Sequence, residues 1–65
     1  MDRLIIYGVY SHMIKDYLSY YKHIEDAIKV LEERAYEYTE IDYKRNVLLD
    51  REKNVIISVH PIVVS

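Results

Sequence analysis

Two blocks of this chain are apolar at both parities, one alternates between apolar and polar, and one follows a helical spacing. The first block, RLIIYGVY at residues 3 to 10, is apolar at both parities, with Leu4, Ile6 and Tyr10 on one side and Ile5, Tyr7 and Val9 on the other. A strand apolar on both sides is one covered on both sides, so it belongs in the interior of a sheet. Gly8 interrupts the row of side chains and marks a bulge or the close approach of another backbone.

The next stretch, YLSYYKHIEDAIKV at residues 17 to 30, admits two readings. Ile14, Tyr17, Leu18, Tyr21, Ile24, Ile28, Leu31 and Ala35 fall on helical spacing, and Ser11 could cap one helix running from about 12 to 37. Against that, DYLSYY crowds three Tyr, a Ser and an Asp into six positions, a composition that favours strand over helix. HIEDAIKVLEERA is the better helix: Glu25 and Lys29 stand four apart in the favourable order, and Glu25 and Asp26 lie in the first turn, where the helix dipole favours negative charge. The expectation is a hairpin of residues 3 to 10 with about 15 to 21 around SHMI, then a helix from about 23 to 36.

Beyond the helix, TEIDYKRNVLL alternates cleanly, with Thr39, Ile41, Tyr43, Val47 and Leu49 on one face, and reads as one strand in which Arg45 breaks the apolar side. DREKN supplies a turn, with Asn54 suited to a left-handed backbone position. VIISVHPIVV closes the chain as a strong strand with Val55, Ile57, Val59 and Val63 on one face and Ile56, Ser58, His60, Ile62 and Val64 on the other; Pro61 cannot donate to a ladder and belongs at an edge, a bulge or a strand end. The fold class expected is α+β: a small antiparallel sheet with one helix packed on one face, ββαββ, or βαββ if the longer helix forms. One helix covers one face of a sheet, so the other face needs a partner, most simply a second copy of the chain.

Composition supports that need. A single domain of 65 residues, 1 to 65, buries only about 60% of its unfolded surface and is marginal alone. With no cysteine it has neither disulfides nor thiolate metal sites, which leaves oligomerisation as the remedy and fits a reducing compartment. No apolar run approaches a membrane span and no secretory leader is recognisable, so a cytoplasmic location is expected. The leaning towards Ile, Tyr and Lys, with eight Tyr and neither Phe nor Trp, resembles the style of short AT-rich chains of bacteriophages and mobile elements; no motif ties the chain to a known family.

Charge is unevenly spread. Of a formal −2, residues 25 to 42 alone carry −5, because seven carboxylates there face only Lys29 and Arg34. That argues against a general nucleic-acid binder, which needs concentrated Lys and Arg. It allows an acidic mimic of nucleic acid, with carboxylates standing where phosphates would.

Chemistry is thinly represented. Ser58 and His60 share one side of a strand and Ser11 adjoins His12, but no Gly-rich oxyanion loop accompanies either pair, so no enzyme is expected. His12, His23 and His60 lack paired ligand spacing, so neither metal nor cofactor is expected within one chain; only an oligomer could assemble a site. The tyrosines are too many for so small a core and suit a surface that is apolar and wet at once.

The expected function is therefore a small non-enzymatic binding protein, homo-oligomeric and most simply dimeric, that regulates or inhibits a host enzyme or defence protein. Its expected contacts are Tyr17, Tyr20 and Tyr21, with Glu32, Glu33 and Glu37 as an acidic rim. The alternative is an oligomer that sequesters a nucleotide, stacking its base on Tyr and holding phosphate with Lys44, Arg45 or Arg51.

Overall fold

The computed structural model describes residues 3 to 64. Two long strands, β1 (Leu4–Ser11) and β5 (Val55–Val64), pair antiparallel along their length and form the spine. β2 (Asp16–Tyr21) lies against the outside of β1 and leads into the helix α1 (Ile24–Arg34), which is followed by β3 (Glu40–Asp42) and β4 (Val47–Leu49). The sheet order is β2-β1-β5-β4-β3, antiparallel throughout. The α+β class and the hairpin reading of residues 17 to 30 stand: tyrosine-rich strand first, helix second.

One expected strand becomes two. Residues 39 to 49 form a hairpin because Asp42 overrides the alternation: its Oδ1 accepts the backbone N–H groups of Lys44 and Arg45 at 3.0 and 3.2 Å, and Asn46 takes a left-handed φ of 55°. These are the two things Asp and Asn do well in turns. In the next turn Lys53, not Asn54, takes the left-handed position, at φ 69°. Asp50 decides that, its Oδ1 accepting the N–H groups of Glu52 and Asn54.

Two bulges shape the sheet. Opposite Val9 and Tyr10 the partner strand offers Ser19 and Tyr17, leaving Leu18 extra; opposite Leu48 and Leu49, β5 offers Ile57 and Val55, leaving Ile56 extra. Both extra residues pack against the core, so Ile56 leaves the face on which simple alternation places it. The core itself lies between α1 and one face of the sheet: Val9, Ile57, Val59 and Leu48 meet Ala27 and Leu31, with Tyr7, Tyr21, Ile28 and Ile41 around them. Helix entry relies on Glu25 and Asp26 at the dipole's positive end, since His23 makes no side-chain cap.

β1 and β5 outrun the rest of the sheet, giving a shape of 44 × 21 × 17 Å. Residues 4 to 6 of β1 pair only with β5, and residues 60 to 64 of β5 only with β1. Pro61 sits where β4 has ended, and its lack of an N–H costs no ladder bond. No helix among the described residues is long and apolar enough to cross a membrane.

Candidate functional site

Paired residues on neighbouring strands share a face. The face away from the helix therefore carries Leu4, Ile6, Gly8 and Tyr10 of β1, opposite Val64, Ile62, His60 and Ser58 of β5. Tyr17 and Tyr20 join it from β2 through their pairing with Tyr10 and Gly8, and Val47 joins from β4. It is an aromatic and aliphatic surface with no helix over it.

Gly8 is the hinge of its packing. A Cβ there would stand 2.6 Å from Tyr17 Cε1 and 2.9 Å from Ile62 Cδ1, so the bare backbone is what lets Tyr17 and Ile62 close over the strand. The Tyr17 ring stacks on Tyr20 at 5.3 Å and meets Tyr10 edge-on at 5.1 Å. Such pairs hold rings in fixed poses. Tyr20 is still 54% exposed, and Leu4 and Val64 are 50% and 42% exposed at the end of the ribbon.

Beside the tyrosines lies a polar cluster. Ser58, 3% exposed, has its Oγ 2.7 Å from His60 Nε2 and 2.9 Å from His12 Nε2. One hydroxyl has one proton, so of two neutral imidazoles one donates through Nε2–H and the other accepts. The Tyr10 ring lies edge-on to both, 5.0 Å from His12 and 6.2 Å from His60. Ser58 and His60, which the strand period places on one side, are thus in contact, joined by His12 through the β1–β5 register. As a nucleophile Ser58 is poorly placed: buried beneath the imidazoles, its Oγ offers little approach to a substrate carbonyl.

The other expected site residues divide. Tyr21 pairs with Tyr7 and packs on the helix side, away from Tyr17 and Tyr20. Glu32 and Glu33 lie exposed on α1, and Glu37 in the loop after it, so they form no rim around the two tyrosines. Tyr43 donates to Glu32 at 3.0 Å, which ties the β3–β4 turn to the helix and holds the Tyr43 phenol above its ordinary range. Lys44 and Arg45 occupy the β3–β4 turn, and β3 is at the opposite edge of the sheet from β2. Arg51 lies 4.0 Å over the Tyr38 ring, beside a hollow of about 270 Å³ that Glu40, Asp50 and Lys53 also line. A single chain therefore does not bring Lys44, Arg45 or Arg51 together with Tyr17 and Tyr20 around a nucleotide.

Arg45 answers its own puzzle: it lies in a turn, with Nε 2.8 Å from Asp42 Oδ2. That hydrogen bond, then the backbone N–H groups of Arg45 and Lys44, holds the Asp42 carboxyl below its ordinary value. A depressed folded-state value means the stabilisation is present above the unfolded carboxyl's titration and is lost as pH falls through the folded one. Asp42→Ala is accordingly expected to be less stable than wild type at neutral pH, with the gap narrowing in acid. Urea midpoints measured at neutral pH and again well below the carboxylate range check this; a gap independent of pH would contradict it.

Comparison with family models, with curated proteins and with solved structures finds no match to this chain.

Proposed function

We propose that the protein is a non-enzymatic binding protein that works as a homodimer, closing the uncovered faces of two sheets on each other. The observation that carries this is the composition of that face: Leu4, Ile6, Tyr10, Tyr17, Tyr20, Ile62 and Val64, with nothing from the chain's own helix to cover them. Strand spacing makes the face of β2, β1 and β5 roughly 25 Å long and 15 Å wide. That is about 375 Å² in projection, which side-chain relief raises only toward the lower end of the ~600–800 Å² per partner that specific interfaces use. A two-fold pairing needs no second kind of surface, because the same patch serves both copies.

In such a dimer the acidic outer layers, with Glu32 and Glu33 on the helices, stay in solvent at opposite ends. They are the surfaces free to engage a further protein, and a basic one by charge. Regulation or inhibition of a target by occupation is the role this arrangement suits.

Sedimentation equilibrium over a concentration series tests the reading. Wild type is expected to fit a dimer, and Tyr20→Lys to fit a folded monomer, because it sets two like charges on an apolar interface. A wild-type monomer across the series would overturn the proposal.

A further inference from the structure

His12 is the first residue past the end of β1 and His60 lies in β5, 48 residues further along the chain, yet both Nε2 atoms converge on Ser58 Oγ, at 2.9 and 2.7 Å. The two nitrogens are thus close neighbours in space. Both histidines are exposed, unlike the serine between them, so the pair reaches out of the sheet face. The space between the nitrogens is held by the Ser58 hydroxyl, so a cation bound by both would require that side chain to turn about its Cα–Cβ bond.

Once the imidazole that donates to Ser58 moves its proton from Nε2 to Nδ1, both rings present Nε2 lone pairs at that point. Nitrogen donors of this kind suit zinc and its neighbours rather than calcium or magnesium. Zinc in a structural site takes four ligands, and among the described residues no group of three or more potential ligands occurs. One chain therefore supplies half a site. The missing half has to come from outside, on a face that has no cover of its own.

We propose that His12 and His60 are one half of an intersubunit zinc-type site, completed by the same two histidines of a second copy facing it across the open sheet face. The proposal rests on the face-to-face dimer above and adds its metal requirement. A two-fold axis passing near His60 doubles two nitrogens into four, and β5, which carries His60, is the middle strand of the five. Tyr10, edge-on to both rings, acts as the positioning residue that keeps them aimed together. Binding would couple metal to assembly, since the complete ligand set exists only in the dimer.

The test is native mass spectrometry with sedimentation equilibrium, in chelator and then with Zn²⁺ alone or Mg²⁺ alone. The result expected is one zinc per two chains, no magnesium, and a dimer tightened by roughly ten-fold or more on adding zinc. His12→Gln and His60→Gln should each lose the zinc and its tightening. A dimer that takes up no zinc overturns this inference and leaves the face-to-face reading standing. Zinc bound one per chain without association, or retained by the His12→Gln, His60→Gln double variant, overturns the bridging site. A chain monomeric in both chelator and zinc overturns both readings.

Discussion

Leu31→Ala is expected to lose about 2–5 kcal/mol, the range for emptying a fully buried leucine site. Leu31 has no exposed surface, and it is the helix's main contribution to the cluster that Val9, Leu48, Ile57 and Val59 form on the sheet. For a domain of this length total stability is of the order of 3–10 kcal/mol, so one substitution removes a large share of it. The urea midpoint followed by far-ultraviolet circular dichroism should fall steeply, and part of the population should be unfolded without denaturant. Ile14→Ala is the control: Ile14 is 63% exposed in the β1–β2 turn, and its loss should change stability by no more than about 0.5 kcal/mol. Equal small effects from both would mean that α1 is not docked on this face of the sheet.

Gly8→Val sets two effects against each other. Valine suits a strand better than glycine by up to about 1 kcal/mol. Its side chain, however, enters space already filled by Tyr17 and Ile62, and overpacking costs about 1–3 kcal/mol. Ile62 can yield at the end of a flexible side chain. Tyr17 cannot swing freely, because Tyr10 and Tyr20 hold its ring from two sides. The clash should win, leaving the variant folded but less stable by about 1–2 kcal/mol. Its aromatic NMR signals should shift at Tyr10, Tyr17 and Tyr20 while those of Tyr36 and Tyr38, remote in the α1–β3 loop, stay in place. A stabilised variant would show that Tyr17 does not lie over Gly8.

How much of this was readable in advance depends on the range of the determining interaction. The first hairpin and the helix follow from local preference: DYLSYY disfavours helix, and IEDAIKVLEER favours it with its charges in the right order. The β3–β4 hairpin was hidden because Asp42 and Asn46 make a turn inside a stretch whose alternation is broken only at Arg45, itself a residue of that turn. The split of the tyrosines was hidden for a different reason. Strict alternation puts Tyr17 and Tyr21 together, whereas the extra residue Leu18 shifts the register so that Tyr17 and Tyr20 share the open face and Tyr21 turns to the core.

The histidine and serine cluster needed still longer-range information. Ser58 and His60 are two apart on one strand, so their contact follows from the strand period. His12 joins them only through the register that sets Tyr10 opposite Ser58, which no local pattern specifies. That one face of the sheet would lack a helix was legible from the mismatch of one helix and several apolar strands. Which residues line the uncovered face was not.

Closure of that face by a second copy is what the proposed dimer requires. Isotope-filtered NMR on a mixed sample of labelled and unlabelled chains tests it most directly, because it reports only contacts between molecules. Intermolecular NOEs are expected among the side chains of Ile6, Tyr10, Tyr17, Tyr20 and Ile62, and none from Glu32 or Glu33 on the helix. Intermolecular contacts confined to the helix side, or none at concentrations where the mass is that of a dimer, would contradict it.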